Sequence, residues 1–296
     1  MKQIFPQTPS TSTSAVHGHL GRRFARHALS GLLAAAAFGV GACRHASTAD
    51  ITTLAAGSDR TLWESASKAL QKRQYAPARQ YLTRLIENFP SSPHQPLARL
   101  SRADSYFQEG GAENYTLAAT DYREFTSLYP SHPRVEYAQL QLAECYFKQR
   151  LGPDRDQTNT TKAREEYERF LAMFPKSTLA DQAHERANTC RWSLARAEYT
   201  VGFFYQRTRQ SCRAAIQRYQ ALLTDYPDYP GTDEVLFRLA ECLVHVSRVN
   251  EAGPALARLL DNYPKSRYRE RAERLRQRAN VAPAPTASPS PAAARQ

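Results

Sequence analysis

The 296-residue chain lacks the sequence devices that most chemistry requires. It has no glycine-rich phosphate loop, no nucleophile elbow and no His-Glu-x-x-His pair. None of its five cysteines shows the spacing of a zinc site. Its eight histidines are scattered, with His17, His19 and His27 near the amino terminus and His94 and His132 in turns. A lone histidine in a turn meets solvent far more often than it serves as a base. The apolar run from Ala28 to Ala42 is shorter than the about 20 residues that span a bilayer. These absences argue against an enzyme, and no metal or cofactor is expected.

What is present is a rhythm. Five times an aromatic residue precedes a proline, and each time an alanine stands twelve residues before that proline. The pairs are Ala78 with Phe89-Pro90, Ala118 with Tyr129-Pro130, Ala163 with Phe174-Pro175, Ala215 with Tyr226-Pro227, and Ala252 with Tyr263-Pro264. Eight residues before the proline come Leu82, Tyr122, Tyr167, Tyr219 and Leu256, and five before it Leu85, Phe125, Phe170, Leu222 and Leu259. These offsets share one helical face, and proline forbids the helix from continuing.

Upstream of each alanine lies a second apolar stretch with a small residue: Ala66, Ala103, Ala143, Gly202 and Ala240. Small residues there let two antiparallel helices approach closely. The fold expected is therefore all-α, a right-handed solenoid of five tetratricopeptide-like helix pairs. The repeats run at about 58–92, 93–132, 133–177, 178–229 and 230–266, and a capping helix extends the solenoid to 278. Solenoids of this kind bind partners and rarely do chemistry.

The flanks indicate where it works. Arg22, Arg23 and Arg26 precede the apolar run, which ends on Val40-Gly41-Ala42-Cys43. That ending resembles the bacterial lipobox, in which the cysteine thiol is acylated and becomes the new amino terminus. Residues 1–42 then form a lipoprotein signal peptide, Cys43 the lipid anchor and residues 43–57 a lipidated tether. Several acyl chains at about 0.8 kcal/mol per buried CH₂ make a firm anchor. Arg44 stands where an aspartate retains many Gram-negative lipoproteins at the inner membrane. The resemblance thus implies the outer membrane, on its periplasmic face. Residues 279–296, rich in alanine and proline, have no large apolar side chain after the tail begins and read as a disordered tail. An exported chain makes nucleic acid a poor explanation for the net charge of +12.

An oxidising compartment also favours disulfides. Cys145 and Cys242 fall at equivalent places in different repeats, while Cys190 and Cys212 are far apart along the chain's longest helical stretch and the next one. All four read as small packing residues.

Two irregularities narrow the family. The third repeat carries an inter-helix insertion, Leu151-Gly152-Pro153-Asp154-Arg155-Asp156-Gln157-Thr158, and the fourth opens with a helix from about Leu179 to Gln206. With the lipobox, the five repeats, and the segments SLYPSHPRVEYAQL and RAEYTVGFFY, this chain resembles the BamD (ComL) lipoproteins of the outer-membrane β-barrel assembly machinery. The likeness covers residues 58 to about 275. The extra turn residues around Gly110-Gly111 and the Ala/Pro tail depart from it.

The resemblance implies a non-enzymatic scaffold. Such proteins dock the POTRA-containing barrel assembly protein, associate with other assembly lipoproteins, and contact unfolded outer-membrane proteins through a groove in the amino-terminal repeats. First-helix positions three before, one after and four after the small residue should line the concave face. These are Trp63, Ser67 and Leu70, then Leu100, Asp104 and Phe107, then Leu140, Glu144 and Phe147. Trp63, Asp104, Phe107, Glu144 and Phe147 would give such a groove its aromatic and acidic character. Core packing is the competing reading of these rings. Partner docking is expected at Arg218 and at the loop residues Asp154, Arg155 and Asp156, with a solvated surface charge as the alternative for Arg218. The basic last helix reads as a polar cap. The alternative function is a repeat lipoprotein coordinating cell-wall synthesis with outer-membrane constriction; such proteins often place a coiled coil ahead of their repeats, and none is visible here.

Overall fold

The computed structural model describes residues 58–279, and among these there are eleven helices and no strand. They are α1 (Asp59–Gln71), α2 (Tyr75–Asn88), α3 (Gln95–Glu109), α4 (Ala112–Leu128), α5 (Val135–Lys148) and α6 (Thr158–Met173). The chain continues through α7 (Ala180–Arg207), α8 (Cys212–Asp225), α9 (Thr232–His245), α10 (Val249–Asn262) and α11 (Arg269–Arg278). Each helix packs chiefly on those before and after it in sequence, as a solenoid of helix pairs requires. The expected signal peptide, the expected anchor Cys43, the expected tether and the expected tail after Ala279 lie outside the described residues. No helix among the described residues is long and apolar enough to cross a membrane.

The repeat positions form the core. Ala78, Ala118, Ala163, Ala215 and Ala252 have no exposed surface, and neither do the large residues four and seven positions after each. Each second helix then stops in the same way. Phe89, Tyr129, Phe174, Tyr226 and Tyr263 cap their helices with φ between −130° and −127° and ψ between 57° and 64°. The following proline excludes the helical conformation from the residue before it. Each capping residue still donates its backbone N–H to the carbonyl four residues back, so the last turn closes before the chain turns away.

Serine latches fasten several of these turns. Ser92 Oγ donates to Asp59 Oδ2 at 2.6 Å, Ser266 Oγ donates to Asp233 Oδ2 at 2.5 Å, and Ser177 bonds Glu136. In each case the serine after the second helix reaches the acidic first turn of the first helix of the same repeat. The same hydroxyl oxygens accept the N–H of His94, Tyr268 and Leu179, two residues on. Between the helices of a pair the chain reverses through left-handed backbone at Arg73, Gln210 and Ser247. The second repeat makes that reversal with Gly110 and Gly111, at φ 77° and 92°, which accounts for the glycine pair in its extra turn residues.

Helix α7 explains its own length. Its first half places Ala183, Ala187 and Cys190 in the core of the second and third repeats, and its second half places Ala195 and Tyr199 in the core of the fourth and fifth. At 28 residues it spans about 42 Å, enough to serve both cores.

Candidate functional site

Two surfaces carry the residues singled out in the sequence. The first lies on the first helices of the amino-terminal repeats. Trp63 on α1 is half-buried and stacks on His94, with ring centroids 5.4 Å apart and planes 6° from parallel. Phe107 on α3 is half-buried and meets Tyr115 edge-on at 5.5 Å. Asp104, one turn earlier on α3, accepts from the Tyr122 hydroxyl at 2.5 Å and from the Tyr137 hydroxyl at 2.9 Å. Burial pushes its carboxyl above the ordinary aspartate value, against the opposing pull of the two hydroxyls.

The third repeat departs from the expected groove. Leu100 on α3 of the second repeat is buried, and on α5 Leu140 is buried while Glu144 and Phe147 are 7% and 9% exposed. Helix α5 is covered by α4 on one side and α6 on the other, so these positions face neighbouring helices and not open water. Glu144 is approached by Arg186 of α7 at 3.4 Å. The Phe147 ring has the Arg150 guanidinium 3.5 Å from its centroid and that of Arg186 at 4.5 Å. Trp63, Asp104 and Phe107 therefore remain partly open, while Glu144 and Phe147 belong to the interior.

The second surface joins the third and fourth repeats. Pro153, Asp154, Arg155 and Gln157 of the inserted loop face Glu198, Val201 and Phe204 of α7 across an open cavity of about 440 Å³. The loop has internal support: Gln157 Nε2 donates to the Gly152 carbonyl at 2.7 Å and to that of Arg155 at 3.1 Å. Arg218 on α8 joins this surface through Glu198, which it contacts at 3.2 Å, and its side chain is 48% exposed. Asp154, Arg155 and Arg218 thus converge although they are far apart in the chain. Asp156 does not line the cavity; it accepts from the Thr158 hydroxyl at 2.9 Å and steadies the start of α6.

Sequence reasoning missed the apolar part of this surface. Val201 and Phe204 are exposed and lie one turn apart on α7. The signal was available, because Val201 and Phe204 lie off the face that carries Tyr199 and Gly202 into the core. Exposed apolar groups beside paired charges suit a protein–protein contact with an apolar centre and a polar rim. Among the described residues no group of three or more His, Cys, Asp or Glu side chains could hold a metal.

Comparison with known proteins agrees on one family. Residues 55–247 match the YfiO family, described as an outer membrane lipoprotein, and residues 234–266 match a tetratricopeptide repeat. The chain is 28% identical to the outer membrane protein assembly factor BamD of Caulobacter vibrioides, over 72% of this chain and 69% of that one. It is 26% identical to BamD of Rickettsia prowazekii, over 73% of this chain and 84% of the relative. Against BamD of Haemophilus influenzae the identity is 27%, over 61% and 71%. The TPR2AB domain of yeast Sti1 aligns at a TM-score of 0.38 and 13% identity, over 75% of this chain and 83% of that one.

Proposed function

From the premise that the chain belongs to the YfiO family of outer membrane lipoproteins, with BamD assembly factors among its relatives, we propose that it is a non-enzymatic scaffold of outer-membrane protein assembly. It holds a POTRA-containing barrel assembly protein and an unfolded barrel substrate close together, raising the effective concentration of each for the other. Acylated Cys43 keeps it at the periplasmic face of the outer membrane, and the tether gives the solenoid reach.

The assembly protein docks where the inserted loop meets α7. The observation that carries this reading is the convergence of exposed Val201 and Phe204 with Asp154, Arg155 and the Arg218–Glu198 pair. An apolar centre supplies affinity, and the charged rim supplies register. The barrel substrate meets the amino-terminal repeats, where Trp63, Asp104 and Phe107 are only half-buried. Recruitment of other assembly lipoproteins follows from the same scaffold role.

Affinity capture of the full chain from membranes tests the reading. Co-purification of a POTRA-containing barrel protein is expected, with loss of that partner when Phe204→Glu and Arg218→Glu are combined. Recovery of cell-wall synthases in its place, or no barrel-type partner at all, overturns it.

A further inference from the structure

The four described cysteines are not equivalent. Cys145 and Cys190 are buried in the core of the second and third repeats, where burial raises both thiols, Cys190 to about 11. Cys242 is buried in the core of the fourth and fifth repeats, and Cys212 packs against that same core while remaining partly exposed. Cys212 opens α8 and Cys242 lies in the last turns of α9, so the packing of these consecutive helices brings the start of one beside the end of the other. Helical phase supports the contact: Cys212, Ala215, Ile216 and Tyr219 share one face of α8, and the last three are buried in the cluster that holds Cys242. Cys212 thus lies close enough to Cys242 to add to the effect of burial in raising its thiol.

We propose that Cys212 and Cys242 form an intramolecular disulfide that ties the fourth repeat to the fifth. The inference rests on the proposed periplasmic location, since a structural disulfide persists in an oxidising compartment and not in a reducing one. The oxidant class is a protein or small-molecule disulfide. The Cys212 thiol, the more accessible of the two, loses its proton and attacks one oxidant sulfur. The oxidant S–S bond breaks, one thiol leaves, and a mixed disulfide forms on Cys212. Cys242 then loses its proton and attacks the Cys212 sulfur, forming the internal S–S bond and releasing the second oxidant thiol. Two electrons and two protons pass from the protein dithiol to the oxidant. Burial pushes the Cys242 thiol up, which slows its ionisation, and the proximity of the Cys212 sulfur offsets this in the second, intramolecular step.

The bridge would tie α9 to α8, the helix that carries Arg218 of the proposed docking surface. It would therefore stiffen the carboxyl-terminal end without occupying the cavity between the inserted loop and α7.

The test uses the full chain, alkylated with N-ethylmaleimide during denaturation and digested with trypsin without reduction. Peptides Gln210–Arg213 and Leu239–Arg248 should appear as one linked species, lighter by two hydrogens than their sum. Peptides bearing Cys145 and Cys190 should appear alkylated. Cys212→Ser and Cys242→Ser should each abolish the linked species. Two preparations are compared: folded chain treated with oxidised glutathione, and chain alkylated directly in the cell envelope. Full alkylation of Cys212 and Cys242 after glutathione treatment overturns the geometry. A bridge formed in glutathione but absent from envelope protein overturns it as a native feature. Both results are independent of which partners the chain captures, so failure of the bridge and failure of the scaffold reading are distinguishable.

Discussion

Gly202 of α7 lies so close under Tyr219 of α8 that a methyl group added there would stand 2.6 Å from the Tyr219 ring. Tyr219 has no exposed surface, and its hydroxyl donates to Gln206 Oε1 at 2.9 Å, so the ring has little room to retreat. In the first and fifth repeats the corresponding positions hold Ala66 with Leu82 and Ala240 with Leu256, each pair buried in one core. Gly202→Ala should therefore cost about 1–3 kcal/mol through overpacking. Adding Tyr219→Leu restores the alanine–leucine combination and should make the double variant less destabilised than the sum of the single ones. Urea unfolding of the three variants checks this, and strict additivity would count against it.

Arg102 and Asp121 form a two-pronged ion pair between α3 and α4, with contacts of 2.8 and 2.7 Å. The carboxylate lies deeper than the guanidinium, at 8% against 17% side-chain exposure. Burial accordingly pushes the Asp121 carboxyl up despite its partner, whereas Asp121 holds the Arg102 guanidinium up despite burial. Asp121→Ala leaves a partly buried cation unpaired and should destabilise by about 3 kcal/mol. Replacing both partners, Arg102→Met with Asp121→Leu, should cost much less. Equal losses for the single and double replacements would show that the ion pair is not the source of the effect.

Asp104 offers a pH signature. Because burial raises its carboxyl above the ordinary value of 3.8, the folded state favours the protonated acid. That contribution to stability is complete below the unfolded value and is lost as pH rises through the folded one. Asparagine does not titrate, so Asp104→Asn should gain on the parent as pH rises from below 3.8 toward neutrality. The difference in unfolding free energy, followed across that range, isolates this one group because other carboxylates cancel. A flat difference would mean that Asp104 titrates like a solvent-exposed acid.

The periodic part of the fold was legible in the sequence for a simple reason. Alanine, two large residues and an aromatic–proline stop repeat at offsets set by helix geometry, and all of the alanines and large residues are fully buried. The docking surfaces were only partly legible, because helical phase shows which side of a helix is apolar but not how deeply its neighbours cover it. Phe107 and Phe147 occupy matching offsets, yet Phe147 is enclosed by Arg150 and Arg186. Arg186 belongs to the over-long α7, whose path over the third repeat no local pattern encodes. The Cys212–Cys242 contact was hidden for a related reason, since it depends on how α8 registers against α9.

That contrast makes the two phenylalanines a controlled pair. Phe107 is half-buried, so Phe107→Ala should leave the fold nearly intact and weaken crosslinking to an unfolded outer-membrane protein. Phe147→Ala removes a core ring at 9% exposure and should cost about 3–5 kcal/mol of stability. It should also free Arg150 and Arg186 from the ring they cover. Crosslinking and urea unfolding on the same preparations separate the two roles. Stability lost at Phe107 and binding lost at an intact Phe147 variant would reverse the assignment, placing the substrate contact in the third repeat instead of the second.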